Sequence, residues 1–204
     1  MNKLKRQFYA RNTLDVARDL LGKLIVIKDN NSIISGRIVE TEGYVGKIDK
    51  AAHCYPNKKT PRTEVMFGEP GHAYVYLIYG MYHCLNIVTE PLNEPAAVLI
   101  RAIEPIEGIE AMCNIRYQKP LSQLTKKQIV NLTNGPGKLC MALGVNKTHN
   151  KLDLCGDSMF IIDEGENNIS IETSKRINIG YAQEAADFPW RFFIKGNPYV
   201  SVSK

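Results

Sequence analysis

No C-x-x-C pair occurs among the five cysteines of this chain, Cys54, Cys84, Cys113, Cys140 and Cys155, and their number is odd. That excludes a disulfide framework and a cysteine zinc site, and it fits a reducing, cytoplasmic compartment. No apolar run approaches the ~18 residues of a membrane span. The basic start MNKLKRQFYARN also lacks the apolar centre of a signal peptide, so a soluble protein that meets no membrane is expected. Repeats, linkers and low-complexity tracts are absent too.

What is present suits one folded unit. A length of 204 residues supports a sizeable core, and we expect residues 1–204 to form a single domain. Hydrophobic residues at 44% and charged residues at 23% are ordinary for a globular protein. The net charge of +5 leans toward a polyanionic partner. Basic residues gather at Lys3, Lys5 and Arg6, at Lys58, Lys59 and Arg62, and at Lys126 and Lys127.

The local patterns predict a strand-rich α+β order. Thr13 reads as the N-cap of a helix over LDVARDLL that ends at Gly22. KLIVIKD, the turn NNS and IISGRIVETEGY read as a hairpin. Residues 47–71, with Pro56, Pro61, Pro70, Gly68 and Gly71, read as a long irregular segment of the functional kind. HAYVYLIYGMYHCLNIV breaks at Gly80 into a second hairpin whose tip carries Tyr79, Met81 and Tyr82. AAVLIRAI reads as a buried central strand, EPIEGIEAMCNIRY and TKKQIVNL as helices, and GPGKLCMALGV as a loop feeding a helix N-terminus that offers N–H groups to an anion. SMFIID, ISIET, RINIGYA and WRFFIKG are expected strands.

The stretch GRIVETEGYVGKIDKAAHC, residues 36–54, concentrates the chemistry. Strict alternation would place Ile38, Glu40, Glu42 and Tyr44 on one strand face, mixing a core aliphatic with two acids and an aromatic. A sheltered carboxylate, ionised at neutral pH, can align and deprotonate water, and spacing alone allows Glu40 or Glu42 that part. Arg101 inside an apolar strand is either a snorkelling side chain or a cation aimed at a phosphate or a water network. His53 reads as a hydrogen-bonding residue, and Cys54 beside it makes no triad. Tyr74, Tyr76, Tyr79 and Tyr82 either pack or stack on bases.

In order along the chain, RIVETEGYVG, DKAAHCY, KTPRTEVMFGEPGHAYVYLIYGMYHCLNIV, VLIRAIEPIEGIEAM, LTNGPGKLCMALGV and RFFIKGNPYVS resemble the alkyladenine (3-methyladenine/methylpurine) DNA glycosylase family over nearly its whole length. The resemblance implies an α+β fold with a curved, mostly antiparallel sheet, surrounding helices and a protruding hairpin that inserts into DNA. It assigns the general base to Glu42 rather than Glu40, and the water-holding arginine to Arg101. Base-stacking aromatics fall on Tyr44 and Tyr76, with His53 as a third wall that also hydrogen-bonds the nucleotide. The inserting tyrosine falls on Tyr79, the pocket-gating asparagine on Asn86, and the pocket edge on the backbone of Ile179. One departure is Asn178, where many members of the family have glycine.

The implied activity is base-excision repair. A monomeric, monofunctional glycosylase would flip alkylated or deaminated purines out of duplex DNA and hydrolyse the N-glycosidic bond, leaving an abasic site. It would use no cofactor and no metal, bind DNA in a salt-sensitive way, and associate with the nucleoid if bacterial. A zinc-dependent base deaminase is excluded because its H-x-E and P-C-x-x-C ligands are missing. A non-catalytic nucleic-acid-binding module of the same fold is the alternative, and it would tolerate loss of Glu42.

Overall fold

Two runs of alternating apolar residues, Leu24–Asp29 (β2) and Ser32–Val45 (β3), pair antiparallel and start the central sheet. The computed structural model describes residues 2–29, 32–165 and 169–201, so Asn30 and Asn31 of the expected turn lie outside the described residues and Ser32 already belongs to β3. β3 is the hub of the sheet. One edge carries β6 (Ala96–Glu107) along its length, and the other carries β2 and then β9 (Arg191–Ile194) opposite Glu40–Glu42. Beyond β6 come β5 (Tyr82–Val88) and β4 (Ala73–Ile78). Beyond β2 come β7 (Met159–Asp163) and the short β1 (Asn2–Lys3), and β8 (Ile171–Ser174) pairs with β9. Every pairing is antiparallel, giving an open α+β sheet.

Alternation divides the two faces. Ala73, Val75, Leu85, Ile87, Val98 and Ile100 point into the main core. Helices cover that side: α2 (Thr13–Asp19), α3 (Ile109–Tyr117) and α5 (Pro136–Ala142) contribute Val16, Ala17, Met112, Cys113, Leu139 and Cys140. α1 (Arg6–Tyr9) adds Tyr9, and α4 (Lys126–Val130) opens on a Thr125–Gln128 capping box. The opposite face carries Tyr74, Val88 and Ala97 with Tyr44 and Tyr76. It is covered by segments with little regular structure. One is 47–71, in which a short 3-10 turn, Glu64–Phe67, supplies Val65 and Met66. The other is 176–188, which supplies Ile179, Ala182 and Ala185.

Ile38 does not share the face of Glu40, Glu42 and Tyr44. The β3–β6 register skips Val39 on β3 and then Arg101 on β6, so Ile38 pairs with Ile103 while Glu40 pairs with Ala102 and Glu42 with Leu99. Each extra residue inverts the side-chain alternation. Ile38 therefore joins the helix-covered core and the two acids turn to the other face. Gly43, between Glu42 and Tyr44, lets α2 approach closely, since a Cβ there would lie 2.7 Å from the Leu14 side chain.

Three expected boundaries move. Asn12 is the N-cap of α2, accepting from the Leu14 N–H, because the Thr13 hydroxyl is drawn to Glu90 and Thr89. EPIE continues β6, and α3 begins only after Gly108, whose φ is 73°. RINIGYA is not a strand. Arg176 and Ile177 give their donors to Asp49 and Glu42, Asn178 is left-handed at φ 61°, and a 3-10 segment spans Gly180–Asp187.

Candidate active site

Glu42 leaves β3 into a fully buried position with three partners. The Tyr44 hydroxyl donates to its Oε2 at 2.8 Å, Arg101 Nη1 to the same oxygen at 3.3 Å, and the Ile177 backbone N–H to Oε1 at 2.8 Å. Tyr44, Arg101 and Ile177 all line a cavity of about 500 Å³, a volume typical of small-molecule sites, so the carboxylate stands directly behind its wall. Burial first, and the Glu42 charge second, push the Tyr44 pKa well above the usual phenol value, so this hydroxyl stays a donor. Burial works against the Arg101 charge, but attraction by Glu42 and Glu40 outweighs it and raises its pKa.

The cavity gathers the other expected residues. His53, Tyr76, Asn86, Ile179 and Tyr79 line it together with Tyr44 and Arg101. His53 Nδ1 lies 2.9 Å from the Tyr74 hydroxyl, and its ring meets Tyr76 edge-on with centroids 4.6 Å apart. Although His53 is open to the cavity, burial among these rings and the nearby Arg62 charge lower its pKa to about 4, so its imidazole is neutral at pH 7. Asn86 donates from Nδ2 to the Tyr74 carbonyl at 3.1 Å. Asn178 also lines the cavity, in a left-handed conformation that glycine or asparagine tolerates best.

Tyr79 and Gly80 occupy the tip of the β4–β5 hairpin, both left-handed, with φ of 54° and 70°. A bulky residue at positive φ is strained. Tyr79 is nonetheless 74% exposed, and Met81 beside it is 66% exposed. Of the three basic groups, the one at 58–62 borders the cavity, with Arg62 over the Tyr76 ring at 4.9 Å and Lys59 over Phe67. Arg6 is engaged elsewhere, with Asp153.

Sequence reading missed the charge balance behind the wall. Among the described residues, the buried charged ones are three acids, Glu40, Glu42 and Asp49, and three arginines, Arg101, Arg176 and Arg191. Arg176 forms a two-bond pair with Asp49, at 2.5 and 2.8 Å, and lies over the Tyr44 and Trp190 rings at 4.6 and 5.1 Å. Tyr181, 68% exposed, adds to the cavity rim. Asp49 and Arg176 stand 127 residues apart, and no local spacing links them.

A buried acid thus stands behind a cavity walled by aromatic rings and of small-molecule size. The family model described as methylpurine-DNA glycosylase (MPG) matches residues 7–198. Three similar proteins carry the name "Putative 3-methyladenine DNA glycosylase". That of Alkaliphilus oremlandii is 62% identical, covering 98% of this chain and 98% of that protein. That of Desulfitobacterium hafniense is 52% identical, with coverage of 99% and 100%. That of Clostridium tetani is 52% identical, with coverage of 98% on both sides. The chain belongs to the methylpurine-DNA glycosylase family. Among the described residues, no helix is long and apolar enough to cross a membrane.

Proposed function

We propose that this protein, working as one monomeric unit over residues 1–204, is a monofunctional DNA glycosylase that excises damaged purines of the 3-methyladenine, 7-methylguanine and hypoxanthine class from duplex DNA. The observation that carries the proposal is the buried Glu42 carboxylate, hydrogen-bonded to Tyr44, Arg101 and the Ile177 N–H behind the wall of an aromatic cavity.

A stacked purine hides its glycosidic bond, so the nucleotide must rotate out at a cost of a few kcal/mol, least for a damaged or mispaired base. Tyr79, strained and exposed at the hairpin tip, would fill the gap left in the duplex. The flipped base would lie among Tyr44, Tyr76 and His53, with Asn86 and Ile179 at the pocket boundary. N-alkylated purines carry positive charge, so the tyrosine faces add a cation–π attraction that undamaged bases lack, and neutral His53 does not repel them.

A carboxylate offers about four lone-pair sites, and Glu42 uses three on its protein partners. The fourth would take a hydrogen from water. As the bond from C1′ to the purine nitrogen breaks, that water forms the new bond to C1′, its proton passes to Glu42, and the base leaves with the electron pair. Alkylated purines leave readily because they are already cationic, whereas hypoxanthine must be protonated as it departs. Excision of cationic lesions should therefore rise with pH through one ionisation and level off, while excision of hypoxanthine should be bell-shaped. A hypoxanthine profile that rises to a plateau would count against an essential acid.

The direct test mixes excess protein with a duplex bearing one hypoxanthine, and with alkylated DNA, and analyses the products. Free base and an alkali-labile abasic site are expected, with no protein–DNA adduct after borohydride treatment. Binding without any base release would overturn the proposal in favour of a binding module, and a trapped adduct would overturn monofunctionality.

Tyr79→Ala should leave the melting temperature unchanged, because the ring is largely exposed. Loss of a stacking contact of about 1–3 kcal/mol predicts roughly 5- to 160-fold slower excision from duplex DNA. Single-stranded substrate needs no wedge, so its excision should be unaffected. Equal losses on both substrates would remove the wedge role.

A further inference from the structure

Glu40, the first carboxylate of the VETEGY motif, is as deeply buried as Glu42 and accepts four bonds where Glu42 accepts three. Its Oε1 accepts from Arg101 Nε at 3.0 Å, Arg191 Nε at 2.6 Å and the Ser201 hydroxyl at 2.7 Å. Its Oε2 accepts the Ser201 backbone N–H at 2.7 Å. Arg191 stands opposite Glu42 in the β3–β9 register, yet its other donors go to Ser174 Oγ and the Ser201 carbonyl. Glu42 meets Arg101 through one nitrogen only, at 3.3 Å, while Arg101 Nη2 lies 3.5 Å from the Ser201 hydroxyl.

We propose that Glu40, fixed by Arg191 and Ser201, is a positioning residue that holds Arg101 back from Glu42, so that Glu42 keeps both a free lone pair and the basicity to take a proton from water. This rests on the assignment of Glu42 as the base. A guanidinium closing on Glu42 with two parallel bonds would occupy the lone pair meant for water. It would also stabilise the carboxylate and weaken it as a base. Glu40 prevents this by competing for the same arginine, and Arg191 supplies the charge that lets two acids share the site. Among the described residues, the groups around Glu42 are Tyr44 and Arg101, bonded to it, Glu40 on the same face of β3, Cys84 on β5, Arg191 opposite it on β9, and Arg176, which lies over the Tyr44 ring.

Glu40→Gln removes the competing charge and leaves Arg101 with Glu42 as its one carboxylate. A carboxylate held more closely by a cation is a weaker base, so the acid limb of the rate profile moves to lower pH while the plateau falls. Ser201→Ala removes one of the four bonds to Glu40 and gives a milder version. The experiment measures single-turnover excision of a cationic lesion by the full chain over about pH 5 to 9, alongside duplex affinity and thermal melting. The expected result for Glu40→Gln is a plateau about 10- to 100-fold lower, an acid limb at lower pH and unchanged duplex affinity. Ser201→Ala should show smaller changes in the same directions.

A folded Glu40→Gln protein with the wild-type rate and limb overturns the proposal, as does a rate loss with an unmoved limb, which marks a merely structural role. If Glu40→Gln does not fold, Ser201→Ala decides by the same criteria. Wild-type protein that releases no base sinks the glycosylase reading itself, a different failure from active wild type with an indifferent Glu40→Gln.

Discussion

Asp49→Ala should lower stability by about 3–5 kcal/mol, the usual cost of leaving one member of a buried ion pair without its partner. Asp49 receives two bonds from Arg176 and two more from the Val45 and Ala51 N–H groups, and both charged side chains are fully buried. Without the carboxylate, the Arg176 charge would remain among Tyr44, Trp190 and the Gly43 and Ala185 carbonyls. For a chain of this size each kcal/mol is about 2–4 °C, so melting should fall by roughly 6–20 °C. Asp49→Ala combined with Arg176→Met should be less unstable than the sum of the single changes, because no buried charge is then unpaired. A melting point within a degree or two of wild type for Asp49→Ala alone would show that the pair does not hold the segment. Excision should fall as well, since the Ile177 N–H that orients Glu42 follows Arg176 directly.

Glu42→Gln should reduce excision by about 10²- to 10⁴-fold, the range associated with a positioned general base. The amide keeps the shape of the side chain and can accept from Tyr44 and Arg101, but it cannot take the proton from water. Its NH2 would also face the Ile177 N–H or the Tyr44 hydroxyl, so one donor contact is lost. Tyr79, proposed to enter the duplex, makes none of these bonds, and duplex affinity should persist. A lowered rate accompanied by equally weakened binding would place Glu42 in recognition instead of chemistry.

The two acids of VETEGY show where the sequence is legible and where it stops. Alternation correctly puts Glu40 and Glu42 together, two residues apart, but it cannot separate them. What distinguishes them is bonding: Glu40 accepts four bonds, from Arg101 and from Arg191 and Ser201 more than 150 residues away, while Glu42 accepts three and stands behind the cavity wall. Alternation fails one step earlier, at Ile38, because the bulges at Val39 and Arg101 arise from how two strands pair and leave no mark in either strand alone. RINIG has the period of a strand, yet Glu42 and Asp49 capture its donors before a ladder can. The hairpins and the central strand around Arg101 were readable because their apolar spacing is local. Asn12 and Thr13 are both good caps, and only the distant Glu90 decides between them.

The role of Glu42 as general base is tested most directly by single-turnover release of base from one hypoxanthine-containing duplex, run on wild-type and Glu42→Gln protein at equal saturation. Release by the wild type is expected, with a loss of at least about a hundredfold in the variant and matching duplex affinities. Two proteins that bind alike and release base at the same rate, or not at all, would contradict it.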